Sequence, residues 1–407
     1  MRGRTLAVAV AVTVAVVAAV IVIQRSGTGP TAAGSGASTM SEALPLVSSV
    51  GTAGLSTVVL PMGHLTDPTN TFWELFVRPS GATSWTLRTP PGVADNGGLV
   101  VDVSTTDALT AGFLPSADLT FSPLARSTDG GRQWAPGQLP TTSLIRVPDG
   151  LATGPGGSVL ALEAATGDGS GDGETVLSGS GDLSSWHPLV TSGALGRSVT
   201  GCRVAGVTAV SAGPTGRPLV GLACSSGDRL GLATTTAPSA GTGASPWRGV
   251  GPVLGGDRSG RVTVVRLESG AAGVTGLARV AGRASTRWLA FWDGAGASGW
   301  RQSPTLTVPG WTVQGTSIGG GSDGQGVAVL LGSEERRRIV ELDGPGSTWT
   351  GLPTPPRGTS AVAALAGETD AFVPSGDRLR VWAWSPGAAS WRRAGTLEVP
   401  IQYGSSN

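Results

Sequence analysis

From residue 43 to residue 400, short apolar stretches rich in Val, Leu, Ala and Thr alternate with polar, glycine-rich turns. No segment in that range sustains the i, i+3, i+4 spacing of a long amphipathic helix, so the pattern predicts an all-β chain. The stretches group in fours. One set predicts an inner strand and its turn at 150–157, then strands at 158–163, 174–178 and 186–190. A second falls at 202–210, 217–224, 229–235 and from 247 onward, and the last at 360–365, 370–374, 378–384 and 391–397. The first set is the faintest, with an inner strand within 44–50 and a third within 72–77.

A tryptophan after a short polar turn marks the fourth strand of each set: Trp85, Trp134, Trp186, Trp247, Trp300, Trp349 and Trp391. Their successive spacings are 49, 52, 61, 53, 49 and 42 residues. A period of about 50 residues with strand-type content between the marks is the signature of propeller blades. The expected fold is therefore a seven-bladed β-propeller of four-stranded antiparallel blades over 43–400, with 401–407 a C-terminal tail. Ring closure has two candidate forms: residues 43–50 act as a closing strand, or the last blade packs directly on the first.

The fullest marked turn reads Ser127-Thr128-Asp129-Gly130-Gly131-Arg132-Gln133-Trp134. Asp129 is placed to accept backbone amide hydrogen bonds, Ser127 to assist, and Gly131 to supply a positive φ. Trp134 folds an apolar ring under the turn while its indole N–H still finds a partner. Ser-x-Asp-x-Gly-x-x-Trp resembles the Asp-box, or BNR repeat, of sialidase-like β-propellers. The other six turns are relaxed copies, such as Ser180-Gly181-Asp182-Leu183-Ser184-Ser185-Trp186.

The resemblance raises a catalytic alternative. Ile145-Arg146-Val147-Pro148, followed by Glu163-Ala164, is similar to the Arg-Ile-Pro blade opening of sialidases, in which the Arg clamps a substrate carboxylate. The family also uses a Tyr nucleophile, a Glu that activates it and an Asp acid/base. Here the only tyrosine is Tyr403, in the tail, and sialidases have six blades. The expected role is binding or scaffolding without catalysis, with protein or cell-envelope carbohydrate as partner. The alternative is a sialidase-like glycoside hydrolase acting at the ring mouth.

Composition narrows the setting. Residues 6–23 form an unbroken apolar run preceded by Arg2 and Arg4, which reads as a transmembrane signal-anchor helix behind a short cytoplasmic segment, 1–5. Residues 24–42 are a Gly/Ser/Thr/Ala linker. The body is thus expected outside the cytoplasm on a single-pass anchor, or secreted if the segment is cleaved. A net charge of +1 gives no ground for nucleic-acid binding. The two histidines, His64 and His187, stand in different repeats and support neither a zinc site nor a His-based triad. No cofactor is expected; Asp168, Ser170 and Asp172 have the alternate oxygen spacing of a calcium loop, and read equally as a solvated hairpin tip.

The second-to-third-strand turns fall on the face opposite the tryptophan-marked turns, where propellers commonly keep their sites, by fold analogy. Arg229, Arg283, Arg287, Arg336, Arg337, Arg338 and Arg378 lie at such turns and, with Arg146, form a candidate basic rim. Cys202 and Cys224 are the only cysteines. Export and their places on neighbouring antiparallel strands predict a disulfide with a Cα separation of about 4.4–6.8 Å.

Overall fold

The computed structural model describes residues 47–400 apart from the segments 52–53, 64–70, 91–98, 105–107, 114–123, 137–147, 155–156, 164–172, 236–246, 255–259, 283–284, 295–298, 322 and 335. The expectations for 1–42, the tail, Arg146, Arg283 and the 168–172 loop lie outside the described residues. Among those residues, no helix is long and apolar enough to cross a membrane.

The described chain is nearly all β, in antiparallel sets that follow the repeat. The first set is Val47–Gly51, Leu55–Gly63, Thr71–Pro79 and Thr86–Leu87; the second is Leu99–Val103, Leu109–Phe113, Leu124–Ser127 and Ala135–Pro136. The third is Gly150–Thr153, Val159–Glu163, Thr175–Gly179 and Trp186–Thr191; the fourth is Cys202–Ser211, Leu219–Gly227, Leu232–Thr235 and Trp247–Gly249. The fifth is Arg261–Gly270, Gly273–Ala281, Thr286–Gly294 and Trp300–Gln302, with Leu306–Thr307 as an extra edge piece. The sixth is Thr312–Ile318, Val327–Ser333, Arg336–Leu342 and Thr350–Gly351; the last is Ala361–Leu365, Glu368–Ser375, Arg378–Trp384 and Arg392–Glu398. All seven marked tryptophans sit at, or one residue before, the start of a fourth strand.

These strands bury both faces, which is why their inner members read as near-continuous apolar runs. The packing proceeds set by set. Val59 and Leu75 of the first set lie in one core with Leu109 and Ala111 of the second. Leu124 joins the second set to Leu151 and Val159 of the third. One larger core runs through the third, fourth and fifth sets, including Leu162, Leu222 and Val264. Trp292 and Val329 join the fifth to the sixth, and Leu330 and Val362 join the sixth to the seventh. Phe372 and Val381 of the seventh then pack with Leu60 and Phe76 of the first, so the sequence of contacts returns to its start. Each fully buried Leu or Phe in these interfaces contributes about 1.5–3 kcal/mol.

Of the two candidate forms of closure, packing of the last set on the first is present in the core, whereas the N-terminal strand reaches the sixth set and not the seventh. Besides the seventh-to-first core, Val47–Gly51 pairs antiparallel with Leu55–Gly63 and parallel with Thr312–Ile318 of the sixth set. The fourth and fifth sets are also joined directly, the second strand of one pairing with the first strand of the other through Ala223 with Thr263 and Cys224 with Val262. A helix of about two turns, α1 (Ser192–Ser198), was not expected from the sequence. Two glycines make its intrinsic propensity poor. It is held by Thr191, whose Oγ1 accepts from Ala194 N at 3.2 Å, and by the fully buried Leu195.

The disulfide Cys202–Cys224 is present, with a Cα separation of 5.4 Å. The strands do not place the two cysteines directly opposite each other. Cys224 faces Val204 and Cys202 faces Gly227, because the connection between the strands is centred near residue 215, where Ser211 pairs with Leu219, rather than near 213. The irregularities along the ladder shift the register by only one or two residues.

Candidate functional site

The Asp129 turn is built by its own side chains. Ser127 Oγ donates to Asp129 Oδ1 at 2.8 Å and accepts from Gly131 N at 2.8 Å. Asp129 Oδ1 also accepts from Arg132 N and Gln133 N, at 3.0 and 2.9 Å. These bonds, the Gln133 amide foremost, hold the Asp129 carboxyl below its ordinary range. Gly131 has φ 82°, and a Cβ there would meet Arg88 Cβ at 2.9 Å, so two constraints select glycine. The Ser180 turn is a shorter version, with Ser185 N donating to Ser180 Oγ at 3.1 Å and Ser184 N to Asp182 Oδ1 at 3.0 Å. There Leu183 takes the left-handed φ of 61°, and the burial of its whole side chain offsets the strain.

The indoles tie neighbouring sets together. Trp134 Nε1 donates to Arg88 O at 3.0 Å, Trp349 Nε1 to Pro304 O at 2.8 Å and Trp391 Nε1 to Pro353 O at 2.9 Å. In each case the acceptor lies three or four residues beyond the preceding marked tryptophan. Trp186 instead bonds Leu183 O in its own turn. Trp247 and Trp300 pack against the large shared core, and Trp85 bonds a carboxylate of the last set.

Polar side chains collect on the first strands. Asp102 of the second set is buried and accepts from Thr153 N, in the third set, at 2.6 Å. Burial, and after it the negative charge of Glu268, raises its pKa to about 7. Glu268 belongs to the fifth set, so its charge acts on Asp102 from a set that is not its neighbour in sequence. Glu268 is ion-paired with Arg266, whose guanidinium also donates to Thr316 O of the sixth set at 3.3 Å.

Beside this cluster opens a cavity of about 390 Å³, against about 50 and 40 Å³ for two smaller ones. Its walls are the first-to-second-strand turns of the fifth, sixth and seventh sets and the Arg78–Gly81 segment leading into the Trp85 turn. It therefore lies on the face of the tryptophan-marked turns, whereas the sequence-based expectation looked to the opposite face.

That opposite face holds the described arginines of the candidate rim. Arg229 is exposed and donates to Gly251 O at 3.1 Å; Arg287 is half-buried at the start of its strand. Arg336 stacks over Trp311 at 5.5 Å, Arg337 donates to Glu334 O, Arg338 is exposed, and Arg378 faces Glu398 across 3.7 Å. Among the described residues, no hydrogen bond or ion pair joins one of these arginines to another. Glu268, Asp102 and Arg266 were not foreseen, since single charges within apolar strands carry no local motif.

The acidic interior has a measurable consequence. In the folded state Asp102 keeps its proton up to about pH 7, whereas an ordinary Asp has lost it above about 3.8. Its contribution is thus fully present below the unfolded value and is lost as pH rises through the folded one. Asp370, Glu74, Asp149, Asp293 and Glu341 are raised by burial and act in the same direction. The thermal midpoint is expected to fall as pH rises from about 4 to 7, and Asp102→Asn to flatten that slope. A midpoint that climbs over this range would contradict the assignment.

No protein-family model matches the sequence, and no curated protein matches it. Among solved structures, a Bacteroides fragilis protein assigned as a 6-phosphogluconolactonase is similar at 14% identity and TM-score 0.48, over 85% of this chain and 96% of that one. A Lactobacillus plantarum protein is similar at 12% identity and TM-score 0.49, over 84% and 96% of the two chains. Apo AztD from Citrobacter koseri is similar at 9% identity and TM-score 0.43, over 88% and 86%.

Proposed function

We propose that the chain is a seven-bladed, Asp-box type β-propeller, carried outside the cell on an N-terminal anchor. Its role is that of a binding or scaffolding module for protein or envelope glycan, without catalysis. The observation that carries this reading is the cavity of about 390 Å³, part polar and part apolar in its lining, where several sets converge, a size suited to a small ligand or an inserted side group. The ring order of the cores supports the blade count, and the disulfide supports an oxidising compartment. The Ser127, Asp129, Gly131 and Trp134 contacts support the Asp-box resemblance.

The glycoside-hydrolase alternative draws on Asp102 and Glu268, one of them a carboxyl with a raised pKa. Hydrolysis needs two carboxyl groups flanking the scissile bond. Asp102 is committed to the Thr153 amide and Glu268 to Arg266, which favours binding. The test is co-sedimentation of the exported domain with purified envelope polysaccharide, alongside assays on fluorogenic glycosides. Retention on the polysaccharide with no turnover above buffer is expected. Turnover abolished by both Asp102→Asn and Glu268→Gln would replace the binding reading with the enzyme.

A further inference from the structure

We propose that the cavity beside Glu268 binds a neutral saccharide unit, entering from the face of the tryptophan-marked turns; this rests on the binding-module reading above. The argument turns on which polar groups in the wall are already committed. Arg78 is the cation of the lining, and all its nitrogens are used: Nε donates to Ala82 O at 2.7 Å, and the two terminal nitrogens pair with Asp370 at 2.9 Å and Glu368 at 2.6 Å. Arg266, just behind the wall, is taken by Glu268 and Thr316. An anionic ligand would therefore meet the carboxylates of Glu268 and Asp323 with no uncommitted cation to answer it.

What the wall does offer is hydroxyl recognition. Asp323 is exposed at the rim and enters no ion pair among the described residues, so its carboxylate can accept from two vicinal hydroxyls. Ser56, Ser80 and Thr275 add hydroxyls that both donate and accept. Ile318, Leu365 and Pro79 give the same cavity an apolar side. A sugar ring has this division, with hydroxyls around its edge and C–H groups on its faces. The volume lies within the range of roughly 300–1,000 Å³ usual for small-molecule sites.

The glycine-lined hairpin of the fifth set supplies a clean test. Gly270 lines the cavity, its φ lies outside the left-handed region, and an added Cβ would meet nothing within 4 Å. Gly270→Phe should therefore fill space without disturbing the fold. Calorimetric titration would use maltotriose, cellotriose, triacetylchitotriose and galactobiose, with sialyllactose as the anionic probe. Binding of at least one neutral probe is expected, with sialyllactose inert. Gly270→Phe should weaken that binding about tenfold or more, and Asp323→Asn several-fold, with wild-type melting curves for both. Absence of binding by every neutral probe, preference for sialyllactose, or undiminished affinity in Gly270→Phe would overturn the proposal. Co-sedimentation with envelope polysaccharide separates the two readings. If retention persists while the cavity tests fail, the site is elsewhere; if wild type is not retained, the binding-module reading itself fails.

Discussion

Arg78→Ala is expected to lower the free energy of unfolding by about 3–5 kcal/mol, the usual cost of stripping one partner from a buried ion pair. Arg78 belongs to the first set, and its two acids, Glu368 and Asp370, belong to the last. Asp370 is 1% exposed and also accepts from Trp85 Nε1 at 2.8 Å, while the Trp85 ring meets Phe372 edge-on at 5.1 Å. Arg392 holds the other side of Glu368 at 2.9 Å. The two ends of the ring are thus joined by one charged network over an apolar core.

Burial outweighs the attraction of Arg78 and raises the Asp370 pKa to about 6. Without Arg78 that pKa rises further, and the folded state relieves the unpaired charge by taking up a proton. The deficit of Arg78→Ala should therefore be smaller near pH 5 than near pH 8. Denaturant melts at both pH values measure it. A loss under about 1 kcal/mol at pH 8 would mean that the network does not close the ring.

How much of this was legible in the sequence depended on the distance over which each feature is encoded. The strands at 159–163 and 378–384 fall within a residue of their predicted positions, because apolar runs and turn residues are local signals. The Asp129 turn was legible for the same reason, since its donors and acceptor all lie within six residues. The ring-closing network was not, because Arg78 and Asp370 stand 292 positions apart and each looks like an ordinary strand charge. The same holds for the influence of Glu268 on Asp102, which stand 166 positions apart in the chain. The cavity is built largely from glycine-rich hairpin tips, whose sequences specify a turn and carry no mark of what the turns enclose. Helix α1 escaped notice because its stability comes from Leu195 in the tertiary core rather than from its own composition.

Removing the Cys202–Cys224 bond should cost about 3 kcal/mol, the chain-entropy value for a loop of this length. The two positions are 22 residues apart, and the bond crosses between the first two strands of the fourth set. Both side chains are buried in the core shared by the third, fourth and fifth sets, and Gly231 packs so closely that a Cβ there would meet Cys224 Sγ at 2.6 Å. The bond lies beside the irregular stretch of this ladder. A Cys202→Ala, Cys224→Ala double variant loses the cross-link and keeps the apolar surroundings without a free thiol. Its loss should appear as a lower denaturant midpoint, and chemical reduction of the wild type should reproduce most of it. Reduction requires opening this core, so it should be slow under native conditions and fast in denaturant. Rapid reduction of the folded protein, or a double variant as stable as wild type, would mean that the bond constrains nothing that the core does not already hold.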